Sequence, residues 1–124
     1  MSEVDQVLES VAAFFGLLAE PTRLKVLHSI CNRERSVGEI VEQTGLTQSN
    51  VSRQLSGLHA RGVVSRRKVG NMVFYKVVDT TLMELCRAVC ARIAGQIEER
   101  RPLKRALLKF MPDAARPYKR GRRQ

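Results

Sequence analysis

The most constraining stretch of this 124-residue chain is residues 36–78, where two short helix signals run straight into a hairpin signal. Ser36 precedes Glu39 by three residues, the spacing of a capping box in which each side chain satisfies an orphaned backbone N–H of the other's residue. Val37, Ile40 and Val41 give that helix an apolar face, and Gly45 stands where a left-handed residue ends it. Thr47 then reads as the cap of a second helix through Arg61. Its apolar residues Val51, Leu55 and Leu58 are spaced four and three apart, and Gly62 is its stop. Residues 63–67 and 72–78 follow, dense in β-branched and aromatic side chains. Lys68, Val69, Gly70 and Asn71 between them supply turn chemistry, so this is a hairpin. Gly45, Leu46 and Thr47 leave room only for a sharp turn between the helices. The order is that of a winged helix-turn-helix.

The rest of the chain fits around that unit. Residues 2–18 predict a helix, with Ser2 and Asp5 as a capping box and Val4, Val7, Leu8, Val11, Phe14, Phe15 and Leu18 at three- and four-residue spacing. Pro21 suits the start of a short second helix carrying Leu24, Val26, Leu27 and Ile30. Residues 32–35 read as a polar connection. Asp79 can cap a long final helix with the stripe Leu82, Leu85, Cys86, Val89, Cys90, Ile93 and Ile97, which Pro102 breaks. The expected class is mainly α with a β-hairpin wing (α+β): four helices, a two-stranded hairpin and a fifth helix. Residues 1–101 form the expected domain. Residues 102–124 form a basic C-terminal extension, partly helical over 103–110 and then disordered over 112–124.

Composition narrows the function classes. No apolar run approaches the roughly 20 residues of a membrane span, so no membrane partner is expected. Glu3, Asp5 and Glu9 among the first apolar residues do not read as a secretory signal, and a cytoplasmic location is expected. Three cysteines cannot all be paired within the chain. The net charge of +10 suggests a polyanionic partner, but it is unevenly placed. Residues 100–124 hold ten Lys/Arg against one acid, so the charge alone does not argue that the folded part binds nucleic acid. The extension either strengthens DNA association by counterion release or serves as a solubilising end.

The motif carries the stronger argument. Thr47, Gln48, Ser49, Asn50, Ser52, Arg53 and Gln54 surround the single apolar anchor Val51. In a helix-turn-helix the N-terminal part of the second helix faces base edges. Amides suit adenine, Arg suits guanine, and hydroxyls suit bases or phosphate. Arg66, Arg67, Lys68 and Asn71 would form a basic wing tip along phosphates or the minor groove. The plainer reading, a solvated polar face beside a charged hairpin, accounts for each feature singly but not for their order and spacing together. No Gly-rich phosphate loop, paired-carboxylate site or Ser-His-Asp arrangement is visible, so an enzyme is not expected. A winged-helix protein that binds nucleic acid constitutively or without sequence preference remains the alternative.

These residues resemble the ArsR/SmtB family of bacterial metal- and stress-responsive repressors, over about residues 10–98. The carriers are LAEPTRL at 18–24, SVGEI at 36–40, LTQSNVSRQL at 46–55, LHARGVV at 58–64 and RRKVGNMVFY at 66–75. Where family members often have His in the recognition helix, this chain has Gln54. The resemblance implies a homodimer built from the first and last helices, double-stranded operator DNA as partner, and repression relieved by an inducer. No further protein partner is inferred. One metal-site class of the family places two cysteines at the start of the third helix, where this chain has Ser36, Val37 and Gly38. Another uses Asp and His along the last helix, whereas the histidines here are His28 and His59.

The cysteines remain. Cys86 and Cys90 are four apart on the last helix and share a face. With Cys31 as a possible third ligand they could hold arsenite or a soft metal ion as inducer, since soft ligands select soft metals. They could instead be oxidised or persulfidated, or they could simply pack, because free Cys is among the most buried residue types. No cofactor is required.

Overall fold

A computed structural model describes residues 2–96 and 101–110, with residues 101–104 as backbone only. The elements are α1 (Glu3–Gly16), α2 (Pro21–Ser29), β1 (Arg35–Ser36), α3 (Val37–Thr44), α4 (Gln48–Ala60), β2 (Val64–Val69), β3 (Met72–Val77), α5 (Thr80–Gln96) and α6 (Arg101–Phe110). Ile97 of the expected last-helix stripe, and the segment expected to be disordered, lie outside the described residues. Among the described residues no helix is long and apolar enough to cross a membrane.

Local chemistry sets the boundaries. Ser2 Oγ accepts from the Asp5 N–H at 3.1 Å while the Asp5 carboxylate accepts from the Ser2 N–H at 3.2 Å. Ser36 and Glu39 repeat this reciprocal cap on α3, at 3.2 and 2.8 Å. Gly45 then takes a φ of 74°, which a side chain would strain, and turns the chain into α4. Thr47 Oγ1 caps α4 by accepting from the Asn50 N–H at 3.2 Å. Asp79 Oδ1 accepts from the Leu82 N–H at 3.0 Å at the head of α5.

The sheet has three strands in the order β1-β3-β2, all antiparallel. The polar connection expected over residues 32–35 therefore ends in a strand: Arg35 and Ser36 pair with Tyr75 and Phe74. Two residues are too few to show a period-2 pattern, so the neighbouring strand makes β1 and no local signal announces it. Val69 pairs with Met72 across a two-residue Gly70–Asn71 turn. A positive φ at Gly70 alone is the pattern of a type II′ turn.

The core lies between α2, α3, α4, the base of the sheet and the first half of α5. Leu27, Ile40, Val51, Leu55, Leu58 and Leu82 are among its fully buried side chains. α5 buries Leu82, Cys86, Cys90 and Ala94, a narrower strip than the sequence pattern. Val89 is 52% exposed and Ile93 37%. α1 buries no residue at all, and its stripe Val4, Val7, Leu8, Val11 and Phe15 faces outward.

Candidate nucleic-acid interface and thiol face

Two regions hold the side chains singled out from the sequence. The first is the exposed edge made by α4 and the hairpin. The Val51, Leu55 and Leu58 seat fixes α4 on the core and turns its other flank outward. Thr47, Gln48, Ser49 and Arg53 are exposed there, and Asn50 and Ser52 are half-buried. Arg53 Nη2 donates to Asn50 Oδ1 at 3.3 Å, so these two side chains are presented as a pair.

Gln54 departs from the group. Its Nε2 donates to Glu20 Oε1 at 2.9 Å, and its Oε1 accepts from Arg23 Nε at 3.3 Å. Both polar ends of its amide are held by residues flanking the start of α2. Neither Glu20 nor Arg23 was singled out from the sequence. They lie 34 and 31 positions from Gln54, and only the fold brings them together.

The hairpin divides by the two-residue alternation of a strand. Arg66 and Lys68 share one face of β2, and both are exposed, as is Asn71 at the turn. Arg67 is on the other face. It grips the Glu34 carboxylate with Nε at 3.1 Å and Nη2 at 2.6 Å, and its guanidinium lies 5.4 Å from the centre of the Phe74 ring opposite it. That hydrogen-bonded pairing holds the Glu34 carboxyl below the usual carboxylate range and raises Arg67. Arg66, Arg67 and Lys68 were expected to act together at the wing tip. The structure gives Arg67 a partner inside the protomer and leaves Arg66 and Lys68 outward.

The second region is the thiol face. Cys86 and Cys90 are buried on α5, one turn apart. Burial pushes both thiols up, Cys86 to about 11, with smaller contributions to Cys86 from Cys90 and Cys31. They line an apolar cavity of about 320 Å³ together with Phe15, Leu18, Leu24, Leu85, Val89, Ile93, Leu107 and Phe110. Cys31, half-buried just beyond α2, donates its S–H to the Phe110 carbonyl at 3.4 Å. His28 Nε2 is hydrogen-bonded to the Lys109 carbonyl at 3.2 Å, and its ring stacks on Phe110 at 5.1 Å. His28 of α2 and Cys31, two residues past its end, thus satisfy two carbonyls at the end of α6. α6 is thereby docked over the thiols. Among the described residues no three His, Cys, Asp or Glu side chains are grouped as metal ligands. The protomer offers two adjacent thiols, and Cys31 is not preformed as a third ligand.

Residues 20–66 match the family described as bacterial regulatory protein, arsR family. The chain is 38% identical over 95 residues to the uncharacterized HTH-type transcriptional regulator Rv0081 of Mycobacterium tuberculosis, covering 73% of this chain and 83% of that one. The crystal structure of that regulator superposes with a TM-score of 0.64, covering 77% and 95%. The probable mercury resistance operon repressor of Streptomyces lividans is 38% identical over 105 residues, covering 74% and 84%. The crystal structure of NolR from Sinorhizobium fredii has a TM-score of 0.65 at 30% identity, covering 73% and 92%.

Proposed function

The chain belongs to the arsR family of bacterial regulatory proteins, which are DNA-binding transcriptional regulators and not enzymes, and from that premise we propose a homodimeric repressor whose inducer is thiol-reactive. The observation that carries the reading is the outward polar flank of α4. It is fixed by a fully buried apolar seat and stands on the same chain as an outward Arg66/Lys68 wing. Gln48, Ser49, Asn50, Ser52 and Arg53, with Thr47 at the cap, would enter the major groove. Arg66, Lys68 and Asn71 would lie along the backbone or minor groove.

What the protomer leaves uncovered supports dimerisation. The outward stripe of α1 and Val89 and Ile93 of α5 make an apolar surface of the kind that marks a partner site. A two-fold pairing through these helices would carry two copies of α4 to successive major grooves, about 34 Å apart.

The inducer would act at Cys86 and Cys90, helped by Cys31. Two thiols one turn apart suit a soft ion taking two sulfur ligands better than arsenite held by three, and a Streptomyces relative is named for mercury resistance. An oxidant or reactive sulfur species is the other thiol-reactive class. Either agent would disturb a cavity shared by α1, α2, α5 and α6, next to the surface proposed for dimerisation. Raised, buried thiols are slow nucleophiles, which favours a second reading in which the cysteines only pack and repression is constitutive.

Fluorescence anisotropy of the reduced full chain on DNA from upstream of its own gene separates these readings. Mercury(II), arsenite, cadmium and a persulfide donor are titrated against the complex, with unrelated DNA as competitor. Release by one agent, abolished in Cys86→Ser/Cys90→Ser, supports the thiol-responsive repressor. Specific binding that no agent releases favours the constitutive reading. Binding that unrelated DNA competes away overturns the operator assignment.

A further inference from the structure

A polar cavity of about 460 Å³ lies between the start of α2 and the flank of α4 that carries Asn50, Arg53 and Gln54, and Arg23 is the hub of one wall. Its Nη1 donates to the Gly16 carbonyl in the last turn of α1 at 3.2 Å, its Nη2 to Glu20 Oε2 at 3.3 Å, and its Nε to Gln54 Oε1 at 3.3 Å. Gln54 Nε2 returns to Glu20 Oε1 at 2.9 Å, which closes a ring of three side chains. A guanidinium is planar, with its donors in a fixed fork. Three bonds in three directions therefore fix where the end of α1, the start of α2 and the middle of α4 stand relative to one another.

Reading adenine with a glutamine needs its amide oxygen and nitrogen presented together to the base edge. In this protein both are engaged by Arg23 and Glu20. We infer that Glu20, Arg23 and Gln54 are positioning residues. Gln54 does not read a base, and the ring holds α4 at one angle to α1. The inference rests on the assignment of α4 as the DNA-reading helix and of α1 as a dimer helix. Given those, the ring converts the geometry of the dimer into a preferred spacing between half-sites. It also confines base reading to Gln48, Ser49, Asn50, Ser52 and Arg53.

The test uses the full chain and the duplex that the unaltered protein selects from a randomised pool. Affinities of Gln54→Ala, Arg23→Ala, Arg23→Lys and the milder Glu20→Gln are measured on that duplex. They are also measured on its single-base-pair variants and on versions with one or two base pairs inserted between half-sites. Gln54→Ala, which removes two contacts of the ring, and Arg23→Ala, which removes three bonds, are each expected to weaken binding on the order of tenfold. The loss should be uniform over the base-pair variants, and discrimination against the inserted spacings should flatten. Arg23→Lys should resemble Arg23→Ala, because an ammonium lacks the fork. Glu20→Gln keeps the shape of the ring and should give a smaller loss of the same kind. A merely structural role would lower the unfolding midpoint without changing the spacing preference of the folded protein. The inference is overturned if Gln54→Ala relaxes the preference at one base pair, or if all four variants keep both affinity and spacing preference. If the unaltered protein selects no sequence, the DNA-reading assignment itself falls, a result distinct from selection that the variants leave unaltered.

Discussion

α1 and α4 are alike as sequences and opposite as structures. They have 14 and 13 residues, and each opens on a hydroxyl side chain that caps the backbone three residues on. Each carries an apolar stripe at helical spacing. α4 sinks its stripe to complete burial, whereas α1 leaves Val7 60% exposed and Phe15 53% exposed. Amphipathicity says that a helix has an apolar face, not what covers it. α4 finds its cover inside the protomer, which frees its polar flank for a ligand. α1 finds little, and its stripe is the surface proposed to meet a second copy.

The largest expected effect breaks α4. Leu55→Ala empties a fully buried site and should cost about 2–5 kcal/mol, read as a drop in the denaturant midpoint. Leu8→Glu on α1 is the matched change on an exposed position. It should leave the protomer's helical content intact but convert dimer to monomer in sedimentation, and weaken operator binding about a hundredfold through lost bivalency. If Leu8→Glu unfolds the chain, or leaves it dimeric, the contrast between the two helices is wrong.

The thiol face sharpens the contrast by pH. Burial pushes the Cys86 thiol up from its ordinary value of 9.0 to about 11 in the folded chain. Between those values the unfolded chain loses its proton first. Stability is therefore full below about pH 9 and falls as pH rises toward 11, by no more than about 2–3 kcal/mol. Unfolding of Cys86→Ala should lack most of that slope, and an equal slope in both proteins would contradict the buried-thiol geometry.

The caps give a smaller test. Thr47→Ala should cost about 1 kcal/mol and also weaken DNA binding, because the cap sits at the proposed interface. Ser2→Ala should cost no more than that in stability and leave DNA binding unchanged. The wing gives the smallest. Lys68→Ala should lower the salt slope of DNA binding by about one phosphate contact. Arg67→Ala should lower it less, because Arg67 is already paired with Glu34.

Much of this was legible because short-range chemistry decides it. Both capping boxes, the left-handed glycines at 45 and 62, the Thr47 cap and the turn of the hairpin each depend on residues at most four apart. The failures share the opposite cause. Gln54 looks like its exposed neighbours until Glu20 and Arg23 arrive from more than 30 residues away. Arg67 looks like Arg66 until Glu34 reaches it across 33 residues. The strand at Arg35–Ser36 exists only through its pairing with β3. Leu107 and Phe110 are apolar within a basic extension, and nothing local says that they cover Cys86 and Cys90. The identities of the proposed DNA-facing side chains were readable, but their division into outward and engaged groups required the fold.

Hydroxyl-radical footprinting of the reduced protein on its selected duplex tests the central claim most directly. Two equivalent protected patches are expected on one side of the duplex, their centres about ten base pairs apart, with a major groove facing the protein at each. A single patch, or even protection without register along the duplex, would contradict a dimer that reads DNA through paired α4 helices.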